Sequence, residues 1–428
     1  MAVTASSDAM GASPSSASMS ALDGINFVLA AMQLGFGPFV AVLLADEKWS
    51  QQSIGFVLSL AGFVGLLSQL PGGELLDTIR SKRFVIALGA IMVAVSALAI
   101  ALWPTRLVVF AALVLQGLTG GLLGPAIAAV SLGLVGHSAL AERLGRNQRF
   151  ASAGALSAAA LMGVIGYFLS YQAIFLASSA LALPLLAALS RIRPTEIHFG
   201  SACGQPDHHA STPPPRIRRV ALWKNHSLLV FAGCLFLFQF ANASMLPLVG
   251  DELAYRNGTG ASLLVSALII VPQIVVILTA PWSGREAQKW GRRPLLLLGF
   301  GALAVRALLF SVTGDPRLLL FVQLLDGISG STLGVLTALI VADLTKGTGR
   351  FNLAQGFVGT LAGIGASLST AFFSLVAGNF GGAAAFISIA CAALVLVIIV
   401  WFWMPETMPA DTSNALKIGT RANRRPIG

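Results

Sequence analysis

Twelve apolar stretches follow one another along this 428-residue chain, each about 18–26 residues long and so able to cross a ~30 Å hydrocarbon core as a helix. They are expected near 24–45, 53–73, 84–103, 107–134, 150–171 and 173–190, then near 227–249, 261–283, 294–313, 318–343, 354–378 and 383–404. Composition agrees. The chain is 56% apolar and 10% charged, against roughly 45–50% and 25% in soluble domains. An all-α membrane protein is the expected class.

The net charge of +10 and pI of about 10.3 would point a soluble protein toward nucleic acid. Position argues otherwise, because alternate loops hold 22 of the 27 Lys and Arg residues. The opposite loops hold only Lys48, Arg106, Arg256 and Arg317, and Arg306 falls inside a helix. By the positive-inside rule both termini are expected in the cytoplasm, in a multi-pass protein of the cytoplasmic (inner) membrane. The expected partners are the lipid bilayer and a small molecule, with no nucleic acid, and a monomer is expected.

Residues 1–21, rich in Ser and Ala and without Lys or Arg, are expected as a disordered cytoplasmic tail. Segment 191–226, with Pro213, Pro214, Pro215 and six basic residues, reads as a cytoplasmic linker between bundles at 22–190 and 227–404, and 405–428 as a cytoplasmic tail. Cys203, Cys234 and Cys391 are far apart and imply neither disulfides nor a zinc site. His198, Cys203, His208 and His209 match no standard metal spacing. Asn257-Gly-Thr259 is a sequon on which nothing is built.

The two halves repeat each other. At an offset of about 210 residues, Leu115-Gln116-Gly117-Leu118-Thr119-Gly120-Gly121-Leu122-Leu123-Gly124 aligns with Leu325-Asp326-Gly327-Ile328-Ser329-Gly330-Ser331-Thr332-Leu333-Gly334. Gln33 matches Asn242, Pro38 matches Pro247 and Pro71 matches Pro281. Two pseudo-symmetric six-helix bundles are therefore expected.

The loops after the second helix of each half run Gly73-Glu-Leu75-Leu-Asp77-Thr-Ile-Arg80-Ser-Lys82-Arg83 and Gly284-Arg-Glu-Ala287-Gln288-Lys289-Trp-Gly291-Arg292-Arg293. Both resemble the G-x-L-a-D-r-x-G-r-k loop signature of the major facilitator superfamily. The resemblance implies that superfamily's fold and a loop that helps latch one alternating-access state. In physical terms, Gly73, Gly284 and Gly291 let helix ends approach, while Arg80, Lys82, Arg292 and Arg293 anchor the turns. Asp77 is placed to sit at the positive N-terminus of a neighbouring helix. Gln288 replaces the acid in the second copy, so only the first is expected to keep the full contact.

Charges inside membrane helices are costly, which singles out Asp326 and Arg306. They share a depth on adjacent antiparallel helices. Either they form a permanent structural pair, or Asp326 faces the cavity and takes a proton or cation with Arg306 tuning it. Gln116 is the repeat partner of Asp326, and Thr119 and Ser329 follow three residues later on the same faces. Asn26 and Gln33 on helix one and Gln239 and Asn242 on helix seven are amides suited to a polar organic solute, or to interhelical hydrogen bonds. Asp23 reads as a helix cap.

No Walker loop, H-E-x-x-H or G-x-S-x-G occurs, so neither ATP hydrolysis nor another enzyme activity is expected, and no cofactor is implied. Helix five lacks the Gly-Pro signature common among drug/proton antiporters of the superfamily. The leading expectation is a secondary active transporter moving a small organic solute by alternating access, driven by a proton gradient. The alternatives are a drug or metabolite efflux antiporter of the same fold and a non-transporting membrane sensor that retains it.

Overall fold

A computed structural model describes residues 14–36, 38–205, 224–250 and 261–408. The Asn257 sequon, His208, His209, the three linker prolines and the tail beyond residue 408 lie outside the described residues.

The described chain is helical, with no strand. We number its spans α1 (Ser16–Asp46), α2 (Gln51–Thr78), α3 (Lys82–Leu102), α4 (106–135), α5 (137–168) and α6 (Tyr171–Arg191). The second half follows as α7 (His226–Gly250), α8 (Ala261–Lys289), α9 (Arg292–Val312), α10 (Pro316–Leu344), α11 (Phe351–Phe380) and α12 (Gly382–Trp403). Two large buried clusters form the cores, one in the first half around Leu22, Ile86 and Phe175, the other largely in the second half around Phe231, Phe300 and Phe386, and a small third joins Ala31, Ala158, Met162 and Ile174. Large apolar side chains such as Phe56, Leu107, Leu278 and Phe402 stay exposed, as helices facing lipid require.

Two details depart from expectation and a third adds to it. The first concerns the start of α1, which begins at Ser16, inside the stretch expected as a tail, because the Ser15 hydroxyl accepts from the Ser18 amide and caps it. Asp23 therefore lies two turns inside the helix and caps nothing. Second, no loop separates α4 from α5. Helix resumes immediately after Gly136, whose φ of 67° is a conformation open to glycine, so Arg143, Arg146 and Arg149, expected in a loop before residue 150, are helical. Third, the described part of the linker is folded against the bundle: Pro194–Glu196 forms a 3-10 turn and Phe199–Ala202 a short helix.

The loops rich in Lys and Arg fall on one face of the bundle, called here the basic side. The repeat is visible in packing. A Cβ on Gly154 of α5 would strike the carbonyl oxygen of Phe27 in α1, and one on Gly365 of α11 would strike that of Phe236 in α7. Such close crossings let backbones pack where lipid supplies no hydrophobic driving force. Gly154→Ala should lower the stability of the first half by about 1–3 kcal/mol through overpacking, seen as a lower melting temperature in detergent. An unchanged melt would mean the two helices slide apart freely.

Candidate functional site

Seven amide side chains reach a single cavity of about 600 Å³ between the halves. Asn26 and Gln33 come from α1, Gln69 from α2, Asn147 and Gln148 from α5, Gln239 from α7 and Gln355 from α11. Thr337 of α10 adds a hydroxyl, Gly120, Gly121 and Gly124 of α4 a smooth wall, and Leu29, Leu235 and Phe238 apolar surface. No Asp, Glu, Lys, Arg or His is among the lining residues. The Gln355 amide nitrogen is shielded from solvent and has no hydrogen-bond partner among the described residues. A buried donor left in that condition is costly unless a guest completes it.

One of the cavity amides is tied to a cluster of paired charges. Asp23 of α1 pairs with Arg143 and Arg146 of α5, the latter at 2.5 Å. Arg143 donates onward to Asn147 (2.7 Å), whose amide donates to Ser131 of α4 (2.7 Å). This chain ties three helices together and sets the orientation of one cavity amide.

From the cavity to the basic side, the halves meet along two seams. On α2, Leu66, Gln69, Gly73 and Asp77 share a face, which meets Asn352, Gly356, Thr360 and Gly363 of α11. A Cβ on Gly73 would strike the Asn352 carbonyl oxygen, and one on Gly356 that of Gln69. The pseudo-symmetric seam joins α8 to α5, with Gly284 against the Ala141 oxygen and Gly145 against that of Ala280.

The first seam ends in a charged latch. Fully buried Asp77 accepts from the Asn352 amide nitrogen at 3.2 Å, the Asn352 side chain at 2.8 Å and the Leu353 amide nitrogen at 2.9 Å. It caps the N-terminus of α11 from the other half, where the helix dipole favours an anion. At the second seam Gln288 donates to the Ser138 carbonyl at 2.8 Å, a neutral bond of reversed polarity.

Away from the cavity, Arg306 of α9 pairs with Asp326 of α10 and donates to Asn242 and Met245 of α7. Gln323 donates to the same carboxylate at 3.3 Å. Arg306 is buried, whereas the Asp326 side chain keeps 28% of its exposure.

This fold has known counterparts. A profile of the Major Facilitator Superfamily matches residues 22–285 and 257–427. The chain belongs to the major facilitator superfamily. A transporter of that superfamily from Mycobacterium tuberculosis, itself uncharacterised, is 37% identical over 393 residues, 91% of this chain and 94% of its own. The class B tetracycline resistance protein of Escherichia coli is 26% identical over 160 residues, 37% of this chain and 39% of its own. The solved proton:xylose symporter superimposes with a TM-score of 0.72 at 14% identity, covering 91% of this chain and 96% of that one.

In this facilitator the two signature loops act differently. Lys82 is buried and donates to the Leu76 and Ile79 carbonyls (2.9 Å to the latter), while Arg80 stays exposed. In the second copy Gly291 adopts a φ of 94°, Arg292 pairs with Asp343 at 3.0 Å, and Glu406 accepts from the Arg292 and Arg293 amides. Those charges stay within their own half; only the first copy reaches across with an acid.

Of the residues picked out in the sequence, Asn26, Gln33 and Gln239 line the facilitator's cavity, whereas Asp326, Arg306, Asn242 and Gln116 are not among its lining residues. Asn242 is drawn instead to Arg306. Thr119 and Ser329 also do not line it: Thr119 donates to the Gln116 carbonyl at 2.7 Å and Ser329 to that of Gly299 at 2.7 Å. Four amides went unnoticed. Gln69 and Gln355 lie one turn from Gly73 and Asn352 respectively, so the signature loop was a pointer to the first. Asn147 and Gln148 stood in the stretch read as a basic loop.

Proposed function

We propose that this facilitator moves a small, neutral, polar organic solute across the cytoplasmic membrane by alternating access, coupled to protons. The observation that carries the reading is the charge-free cavity lined by amides. Amides offer donors and acceptors together, which suits hydroxyl or amide groups, and a buried fixed charge on the solute would meet no counter-ion there. The positive-inside distribution makes the basic side cytoplasmic. With both seams closed on that side, the reading is of a state shut toward the cytoplasm.

Coupling is assigned to Asp326. Protonating it would end its pairing with Arg306, leaving the guanidinium with its contacts to Asn242 and Met245 of α7. That amide lies three residues from cavity-lining Gln239 on α7, so a change of protonation reaches the solute site through one helical turn. In proteoliposomes carrying a pH dye, Asp326→Asn should abolish solute-driven proton flux. Undiminished flux would make Arg306 and Asp326 a structural pair and remove the assignment. Drug export is a second reading, supported by the partial similarity to the tetracycline resistance protein and by Phe238 in the cavity wall. Tetracycline binding in place of neutral polar solutes would favour it.

A further inference from the structure

We propose that the start of the interdomain linker is itself part of the gate: a clasp, residues 197–204, that is anchored on the first half and hooks the second only while the basic side is closed. This rests on the alternating-access reading and adds a third component to it.

The anchoring is extensive. Glu196 accepts from the Ser15 amide at 3.1 Å and the Ser15 hydroxyl at 3.0 Å, and the Arg193 amide donates to Ser18 at 3.2 Å, all on the α1 entrance. The His198 amide donates to the Gly133 carbonyl of α4 at 3.0 Å. Gly133 has room for no side chain, since a Cβ there would meet Ile197 at 2.9 Å and Ala202 at 3.1 Å. The Lys82 ammonium lies 4.9 Å from the Phe199 ring centre and 3.6 Å from the Cys203 sulfur.

The hook consists of three consecutive carbonyls. That of Ala202 accepts from the Asn352 side chain at 3.2 Å, that of Cys203 from the Phe351 amide at 3.2 Å, and that of Gly204 from the Gly347 amide at 2.6 Å. Gly204, at φ 84°, makes the bend. Asn352 is thus held by both the Asp77 carboxylate and the clasp, and the first turn of α11 is gripped from two directions. Separation of α11 from α2 must break the Asp77 bonds, and with the clasp fixed to the first half it must break these carbonyl bonds as well. Among the described residues the second half shows no such clasp: after α12 the chain turns Glu406 onto α9 of its own half.

Cys203 reports on the clasp because it is only 2% exposed. The test uses full-length protein in lipid nanodiscs with Cys234 and Cys391 replaced by Ala, leaving Cys203 as the only thiol, and a water-soluble maleimide. Labelling should be slow in this background and at least tenfold faster after Asp77→Asn, which opens the seam. Equal rates, in a protein whose seam is shown to open by spin-label distances between α2 and α11, would mean that parting α11 from α2 breaks no contact of the clasp with the second half, and would overturn the proposal. A second variant, Gly204→Val, strains the bend; it should lengthen the α2–α11 distance distribution toward that of Asp77→Asn while the melting temperature of the α1–α6 half stays unchanged. A distribution identical to the parent's would also count against it. Absence of opening in Asp77→Asn itself would instead count against the alternating-access reading, which keeps the two failures apart.

Discussion

Asp77→Asn should move the facilitator out of its closed state by about ten- to a hundredfold in population. The carboxylate accepts three bonds, two from backbone amides at the start of α11. Asparagine keeps the shape, loses the charge and turns a donor toward at least one of those donors. Hydrogen bonds to a charged group contribute roughly 1.5–3 kcal/mol each, against about 1 for a neutral pair, and about 1.4 kcal/mol is tenfold in an equilibrium. The fold should survive, because the lost bonds lie between halves and not within one. Spin-label distances across the α2–α11 seam give the population directly. Gln288→Ala is the internal comparison: it removes one exposed neutral bond, and its effect should stay within about 0.5–1.5 kcal/mol. Equal effects from the two variants would mean the acid has no special weight.

Asp23→Ala should damage the fold itself, by about 3–5 kcal/mol, the usual cost of stripping a buried ion of its partner. Arg143 is 2% exposed and reaches Asp23, Asn147 and the Met19 carbonyl at 3.3 Å. Without the carboxylate its charge has no counter-ion nearby except by drawing water into the bundle. Arg146, with 52% of its side chain exposed, can turn to solvent and should matter little. The discriminating measurement is a double-mutant cycle by thermal unfolding in detergent. Adding Arg143→Leu to Asp23→Ala should recover much of the loss, because an apolar replacement for a buried pair is often close to neutral. A double variant as unstable as the single would assign the effect to packing around Asp23 and not to its charge.

Much of this was written in the order of residues. Spans follow from the length of apolar runs, and the duplication from Gly117, Gly120, Gly124 and their repeats. The position of Asp77 followed from placing an acid where a helix N-terminus must pass, and the Arg306 pair from equal depths on antiparallel helices. The cavity was harder, because an amide lines it only if its helix is rotated correctly, and a nearly uniform apolar helix such as α7 gives no periodic signal to fix that rotation. Gln239 and Asn242 are one turn apart, yet one faces the cavity and the other Arg306. The linker was legible only in part. Its polarity marks it as outside the membrane, but whether a polar segment is tethered depends on carbonyls, which no side-chain pattern records.

Gly136 joins α4 to α5 without a single loop residue. Only that residue lies between them, so displacement of one arm passes to the other through a single pair of backbone torsions. One arm carries the Gly120 and Gly124 wall of the cavity, and the other bears Gly145 on α8 of the opposite half. When the halves rock, the wall must travel with the seam. The room available to a solute is then set by the angle between the halves, and a guest that fills the cavity acts on that angle as a wedge acts on a hinge.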